Sequence, residues 1–473
     1  MQTTSHTAAP GRVFGASTAY GLMIGLAALG FLLVRWLGGD LTASEMDLVR
    51  DAAPGPAALS NNAILHVFVA LTAVILTGRA LGWLFARLRQ PPVIGEVMAG
   101  ILLGPSLLGR EVSGWLLPAS VAPYLEIVAQ LGVVLYMFLI GLELNGELLR
   151  RRATTTLAIS HASIVAPFLL GAGLSLLLYP VLSHRGVSFT SFSLFMGVAM
   201  SITAFPVLAR ILTDLRWQQT ELGVIALGAA AIGDATAWCL LAVAVAVVQS
   251  QVGAAAQTCA LAFAFIVGML VVIRPLAERW ARRMESRSLG VAALAGLLAA
   301  VLAAAALTEA IGIHAIFGAF LVGAIIPHDS RIAREATERL HDIVTVLLLP
   351  AFFALTGMRT EIGLVSGWQD WMLCGLIILA ATAGKFGGAI GAARYTGMPW
   401  RDAWTLGALM NTRGLMELIV LNVGLDLGVI SPTLFAMMVL MALVTTLMTT
   451  PIVLGIQHGS RAGMPNVEIR MTN

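Results

Sequence analysis

Apolar runs long enough to cross a lipid bilayer recur from one end of the chain to the other. A transmembrane helix needs about 20 apolar residues, and a window of that length finds fourteen candidate spans in the 473 residues. They lie near 14–37, 62–86, 92–109, 123–144, 154–180, 189–213, 221–249, 255–274, 289–309, 311–327, 343–358, 370–393, 403–425 and 430–456. Since 58% of the residues are hydrophobic and only 11% are charged, the sequence predicts an all-α polytopic membrane protein.

Basic residues between these runs alternate in number from one side to the other. With a cytoplasmic N-terminus, 21 of the 28 basic residues fall in cytoplasmic loops and five in loops on the far side. Cytoplasmic loops carry an excess of Arg and Lys, so the pattern predicts that both termini are cytoplasmic and that the protein lies in the cell inner (plasma) membrane. It also accounts for the net charge of +3 without a nucleic-acid partner.

The chain divides into three predicted parts. Residues 1–60 predict an extra N-terminal transmembrane helix followed by an external linker. A cleaved secretory signal over residues 1–37 is the alternative, although the apolar run is long for a signal peptide. Residues 61–456 predict the main membrane domain, and residues 457–473 a short polar cytoplasmic tail with no soluble regulatory domain attached.

An internal repeat adds information about architecture. The segment IVAQLGVVLYMFLIGLELNGEL (127–148) aligns without gaps on 343–364 with six of 22 positions identical, and a Gly-rich span ending in proline precedes each copy. The copies are seven spans apart and therefore cross the membrane in opposite directions. We predict inverted repeats over about 92–250 and 311–456, an arrangement typical of secondary transporters whose substrate site lies where broken helices meet.

Two segments carry helix-breaking residues at matching places in the two halves. In SITAFPVLARIL (201–212), Pro206 opens the helix ladder and leaves Ser201 and Thr203 to satisfy freed backbone groups. Seven spans later, ALMNTRGLMELIV (408–420) has Asn411, Thr412, Arg413 and Gly414. Proline and glycine are common in membrane helices, but their matched positions predict a crossing of broken helices.

Charged residues inside apolar spans are costly and mark candidate functional sites. Asp234 lies mid-span with no basic residue on its helix, and it can bind a cation when ionised and a proton when not; a structural carboxylate paired with an arginine elsewhere is the alternative. Arg413 and Glu417 stand at i and i+4, where they can neutralise each other as structural support. Lys385, the only lysine against 27 arginines, lies within a span and, unlike arginine, can lose its proton when desolvated.

Taken as a series, eight segments resemble the monovalent cation:proton antiporters, and within them the branch containing bacterial NapA and KefC-type transporters and the plant CHX exchangers. They are PPVIGEVMAGILLGPSLLG, FLIGLELN, SITAFPVLARIL, GAAAIGDATAW, GIHAIFGAFLVGAIIP, LPAFFALTGMRT, GKFGGA and LGALMNTRGLMELIVLNVG. The resemblance implies an inverted-repeat NhaA/NapA-like fold of thirteen helices, here with one extra at the N-terminus. It also implies a homodimer, with a dimerisation domain and a moving core domain, and we expect that core to consist of spans five to seven and twelve to fourteen.

The same resemblance implies roles for individual residues. Asp234 matches the family's cation- and proton-binding aspartate, and Lys385 matches the charge-compensating basic residue facing it. Ser201, Thr203 and Pro206 match the unwound stretch beside the site. One position departs from the family, which usually has Asp, Asn or Gln immediately before the essential aspartate, whereas this chain has Gly233. We therefore expect Lys385 to pair with Asp234 itself when the cation is absent.

These observations favour a secondary transporter that exchanges Na⁺ or K⁺ for protons by alternating access, with Asp234 as the metal ligand. One-for-one, electroneutral exchange is expected if Lys385 stays protonated, and two protons per cation if it does not. A channel would need a continuous polar pathway, and a carrier of organic solutes would need a pocket lined with several polar and aromatic groups. A cation channel and a KefC-like potassium efflux system remain the alternatives; no enzymatic activity or resident cofactor is expected.

Overall fold

The computed structural model describes residues 10–43, 63–88, 90, 92–116, 118, 121–143, 153–217, 220–249, 252–286, 288–313, 315–358, 360 and 362–458. Its helices, numbered in chain order, are α1 (Pro10–Leu37), α2 (Ala63–Arg87), α3 (Pro92–Leu103), α4 (Pro105–Leu116), α5 (Ala122–Glu143), α6 (Ala153–Leu182), α7 (Phe189–Ser201), α8 (Phe205–Asp214), α9 (Glu221–Val248), α10 (Val252–Gly268), α11 (Arg274–Met284), α12 (Val291–Ile311), α13 (Ala315–Ile325), α14 (Arg331–Asp342), α15 (Leu349–Met358), α16 (Gly367–Tyr395), α17 (Trp400–Met410), α18 (Leu415–Asp426) and α19 (Pro432–His458). Short π-helical stretches, Met269–Ile273 and Ile343–Leu348, lead into α11 and α15.

Nine helical segments in the described part of the chain are long and apolar enough to cross a membrane. They are Tyr20–Leu37, Ile64–Arg87, Ala122–Glu143, Ala153–Leu182, Glu221–Val248, Ala260–Met284, Val291–Ile311, Gly367–Tyr395 and Pro432–Ile456. The other five predicted runs fall on shorter or interrupted helices: α3 with α4, α7 with α8, α13, α15 with the π-helical stretch before it, and α17 with α18. The protein is thus an all-α polytopic membrane protein.

The third predicted run, 92–109, is interrupted in the structure. Its helix α3 ends at Leu103, and α4 begins at Pro105 and continues to Leu116 with a non-helical Gly109 (φ 77°) inside it. A proline disfavours helical geometry in the residue before it, so Gly104 separates the two helices. The break at Gly104 was not predicted, because apolarity continues past the proline whereas the helix does not; the predicted end at residue 109 coincides with the non-helical Gly109.

Most contacts between helices fall within two groups. One group, called here the core bundle, contains α6 to α9 and α16 to α19. The other, called the scaffold bundle, contains α2 to α5 and α10 to α15. Contacts between the bundles are concentrated where the chain passes from α9 to α10, between α15 and α18, and between residues 362–364 and α19. The two broken helices both belong to the core bundle.

The scaffold bundle is held by close backbone contacts at glycines. A Cβ atom on Gly323 of α13 would lie 2.2 Å from the carbonyl oxygen of Phe138 in α5, and one on Gly141 of α5 would lie 2.3 Å from that of Phe320 in α13. Neither position has room for a methyl group. Small residues that let backbones approach closely are a common basis of helix packing in membranes.

The N-terminal helix α1 packs against the core bundle, chiefly on α6. The ring of Tyr20 meets that of His161 edge-on at a centroid distance of 5.2 Å, and Phe31 contacts Phe168 at 5.7 Å. Most of the linker predicted to follow it, and residues 459–473 of the predicted tail, lie outside the described residues. The predicted division of the chain at residues 60 and 456 stays a prediction.

A buried polar site at crossed broken helices

Two core-bundle spans lose helical geometry part-way along their length. The first break covers residues 202–204, between α7 and α8, where Ile202 is extended with φ −72° and ψ 142°. Pro206 is the second residue of α8, a place in the first helical turn where the missing N–H of proline costs nothing. The second break covers residues 411–414, between α17 and α18.

The backbone groups freed at the breaks bond to each other across the crossing. The Ala204 N–H donates to the carbonyl oxygen of Thr412 at 2.9 Å, and the Thr203 hydroxyl donates to that of Met410 at 3.1 Å. From α19, the Thr446 hydroxyl accepts from the Arg413 N–H at 2.9 Å. Because an unpaired backbone group in a membrane interior is very costly, these bonds allow irregular backbone to exist at this depth.

Lys385 of α16 reaches the first break with its side chain fully buried. Its ammonium group donates to the carbonyl oxygen of Ser201 at 2.5 Å and to the Thr203 hydroxyl at 2.6 Å. We expected the ammonium to bond to Asp234, and in this conformation it does not. The break supplies a carbonyl oxygen that has lost its helical donor, and such an oxygen is a good acceptor for a compact charge with three donors.

Asp234 lies in α9 and is only 4% exposed. Neither of its carboxylate oxygens has a hydrogen-bond partner among the described residues. The Lys385 ammonium acts on this carboxylate electrostatically, and the backbone N–H of Phe205, at the start of α8, lies beside it. A buried carboxylate without partners is stable only when it takes up a proton or a cation.

Arg413 and Glu417 form the ion pair that their spacing predicts, at 3.1 Å, and both side chains are fully buried. The Arg413 guanidinium also donates to the carbonyl oxygens of Met200 at 2.7 Å and Ala199 at 3.4 Å. Those oxygens belong to the last turn of α7, whose partial negative charge a cation stabilises. The pair therefore joins the two broken helices.

A cavity of about 420 Å³ lies between the two bundles. The scaffold bundle contributes Ala129, Gln130 and Phe352 to its lining, and the core bundle contributes Ile419 and Val423. Three carboxylates line it near helix ends: Glu126, Glu309 and Asp426. By the predicted topology all three lie on the external side, and none of the predicted site residues lines the cavity.

The sequence analysis assigned four residues to one site: Asp234, Lys385, Ser201 and Thr203. In the structure they lie around the point where the two broken helices cross. Asn411 and Thr412 lie in the second break. Pro206 lies just after the first break, as the second residue of α8. Sequence reasoning missed Ser160, a fully buried residue of α6 beside the helix of Asp234. Ser160 is one of three serines in α6, and no pattern in the sequence distinguishes it from the other two.

Comparisons with known proteins agree with this geometry. The family described as "Sodium/hydrogen exchanger, transmembrane" matches residues 67–455. The chain is 43% identical over 404 residues to the Na(+)/H(+) antiporter NhaS4 of Synechocystis, covering 84% of this chain and 98% of that protein. The chain is also 43% identical over 405 residues to the cation/H(+) antiporter 18 of Arabidopsis thaliana, and the match covers 84% of this chain and 49% of that protein.

Two further comparisons extend the range of relatives. The K(+)/H(+) antiporter 1 of Saccharomyces cerevisiae is 34% identical over 381 residues, covering 78% of this chain and 44% of that protein. The structure of the sodium proton antiporter MjNhaP1 from Methanocaldococcus jannaschii superposes with a TM-score of 0.61 at 13% identity, covering 83% of this chain and 99% of that one. At that identity the likeness concerns the fold, which is therefore the fold of an antiporter.

Proposed function

The chain belongs to the sodium/hydrogen exchanger family, and from that premise we propose that it exchanges a monovalent cation, Na⁺ or K⁺, for protons. Relatives named for Na⁺/H⁺ and for K⁺/H⁺ exchange match at comparable coverage of this chain. The proposal therefore names the class of cation and leaves both ions as substrates to be tested. The transporter needs no resident cofactor, since the metal ion is its cargo.

The observation that carries the proposal is the unpaired, buried carboxylate of Asp234 beside two broken helices. Taking a bare charge into a low-dielectric interior is very costly. The carboxylate is therefore occupied at all times, by a proton or by a cation. Because one carboxylate cannot hold both, the two ions are carried alternately, and this exclusion couples their movements.

Lys385 sets the charge balance of the site. Its ammonium is held by oxygens of the first break, and these oxygens keep it solvated when a cation occupies Asp234. An ammonium that stays protonated leaves Asp234 as the only titrating group, so one proton exchanges for one cation. We propose that transport is electroneutral on this ground.

Alternating access follows from the two-bundle arrangement. Inverted-repeat transporters expose a midplane site to each side in turn by moving one bundle against the other. We propose that the core bundle moves and that the acidic cavity between the bundles is the external approach to Asp234. Its carboxylates raise the local cation concentration.

The proposal includes location and assembly. Basic residues in alternate loops favour a cell inner membrane protein with cytoplasmic N- and C-termini. Family resemblance favours a homodimer, with the scaffold bundle as its dimerisation part. These features support pH homeostasis as the role in the cell.

Everted membrane vesicles test the proposed function. After respiration has acidified the vesicles, adding Na⁺ or K⁺ should raise their internal pH in vesicles containing the wild-type protein, and not in those containing Asp234→Asn or no transporter. The asparagine keeps the shape of the side chain and cannot exchange a proton for a cation. A cation current without proton movement would instead favour a channel, and flux of K⁺ alone would favour a KefC-like efflux system.

A further inference from the structure

Two neutral polar side chains near Asp234 are buried without any hydrogen bond in the described part of the chain. The Ser160 hydroxyl oxygen has no partner, and neither does the amide oxygen or nitrogen of Asn411; both residues are fully buried. Buried polar groups of this kind are rare in native structures and call for an explanation. A ligand that binds them is one such explanation.

Ser160 lies beside the turn of α9 that contains Asp234. A Cβ atom built on Gly233 would lie 3.6 Å from the Ser160 hydroxyl oxygen and 4.0 Å from Cδ1 of Ile164, which are ordinary contact distances to described residues of the neighbouring helix. The Ser160 hydroxyl therefore lies directly beside the residue that precedes Asp234, and a side chain at position 233 would fit without a clash.

Asn411 lies in the second break, between Met410 and Thr412, whose carbonyl oxygens accept hydrogen bonds from Thr203 and Ala204 of the first break. It follows Met410, which shares one hydrophobic cluster with Ile159 and Ala229. Ile159 directly precedes Ser160, and Ala229 lies one helical turn before Gly233. The cluster thus brings α6, α9 and α17 together next to the unpaired polar groups.

From this arrangement we infer that Ser160 is a ligand of the transported cation, together with the amide oxygen of Asn411. An alkali cation that leaves water needs several oxygen atoms to replace its hydration shell. Asp234 provides two, while the Ser201 carbonyl and the Thr203 hydroxyl are engaged by Lys385. In the described part of the chain the oxygens of Ser160 and Asn411 are buried and engaged by no hydrogen bond, so they add to the shell.

This inference rests on the proposed function and can fail separately from it. The test measures cation-dependent proton flux in proteoliposomes over a range of cation concentrations, for wild type and Ser160→Ala. Loss of one neutral ligand that acts on the bound ion is expected to raise KM for the cation about tenfold and to leave kcat within about twofold. A purely structural serine would change kcat and protein yield with no specific effect on KM.

Ser175→Ala is the matched control, because Ser175 is also a fully buried serine of α6 and its hydroxyl already bonds to the Gly171 carbonyl oxygen at 3.0 Å. It should leave KM unchanged. Adding Gly233→Asn to Ser160→Ala places a new amide oxygen in the same space and should restore KM at least in part. If Ser160→Ala does not fold, Gly233→Asn in the wild-type background decides, with a severalfold lower KM expected.

The outcomes separate cleanly. The role of Ser160 is overturned if Ser160→Ala and Ser175→Ala have the same KM. If Ser160→Ala does not fold, the role is overturned when Gly233→Asn has the KM of wild type. The same assay also tests the proposed function, which is overturned if the wild-type protein shows no cation-dependent proton flux.

Discussion

At the scale of single residues, the site holds one unpaired acid and one base that is bonded elsewhere. Among the described residues the Asp234 carboxylate has no hydrogen-bond partner, while the Lys385 ammonium donates to the Ser201 carbonyl oxygen and the Thr203 hydroxyl. The sequence predicts that both residues matter, since each is an isolated charge in an apolar span. It could not predict the partner of Lys385, because the choice depends on how far α16 lies from the first break.

Lys385→Arg should reduce exchange at least tenfold. The pocket around Lys385 is fully enclosed and fits a compact ammonium, whereas the planar guanidinium is larger and its donors form a rigid fork. Proton flux in proteoliposomes, with protein yield as a check on folding, measures the effect. Arg394→Lys, near the C-terminal end of the same helix, is the control and should keep wild-type flux. Unchanged exchange in Lys385→Arg would show that neither the compact shape nor the chemistry of the lysine is needed.

Glu417→Gln should destabilise the protein by about 3 kcal/mol, because it leaves the guanidinium of Arg413 buried without its counter-charge. Replacing both residues with methionine removes both charges and should cost less than the single change. Thermal unfolding in detergent compares the three proteins. The idea of a mutually neutralising pair fails if the double variant is less stable than Glu417→Gln.

At the scale of elements, helix breaks and helix ends differ in how far sequence predicts them. Pro206 and the run Asn411–Gly414 indicate two interruptions, and the structure has non-helical backbone at residues 202–204 and 411–414. The end of α3 was missed, although Pro105 marks it, because the apolar run was followed further than the backbone allows. Composition predicts where a chain is in the membrane, while proline and glycine predict where its helices stop.

Gly323→Ala should destabilise the scaffold bundle by about 1–3 kcal/mol, the usual cost of forcing atoms into a packed contact. The added methyl group would lie 2.2 Å from the Phe138 carbonyl oxygen, so α5 and α13 must move apart. Gly375→Ala in α16 is the control, since nothing lies within 4 Å of its Cβ position. Thermal unfolding of the two variants in detergent gives the comparison. Equal unfolding temperatures would mean that the two helices do not depend on this close contact.

At the scale of the whole molecule, the repeats and the resemblance to antiporters predict a core of spans five to seven and twelve to fourteen, and the helix contacts of the structure group the same spans into the core bundle. Hydrophobicity is nearly uniform around each apolar span. The sequence therefore has no periodic pattern that predicts which face of a helix packs against its neighbours. Inverted repeats predict a two-fold relation between halves, and each bundle takes helices from both halves, as that relation requires. The tertiary arrangement, with an acidic cavity between the bundles, therefore comes from the structure.

Accessibility of the cavity gives a prediction at this scale. In a chain whose native cysteines are replaced, Val423→Cys should react with a membrane-impermeant thiol reagent added from outside, because Val423 lines the cavity between the bundles. Val439→Cys, fully buried in α19, is the control and should not react. Labelling of Val423→Cys from the cytoplasmic side only would reverse the assigned direction of the cavity.

The central claim is that a proton and a cation exclude each other at Asp234, and proton release on cation binding tests it most directly. Purified protein in weakly buffered detergent solution is mixed with Na⁺ or K⁺ at a pH where Asp234 is protonated, and the released protons are counted against the bound cations. One proton per cation is expected for wild type and none for Asp234→Asn. Cation binding to wild type without proton release, or equal release from Asp234→Asn, would contradict the account.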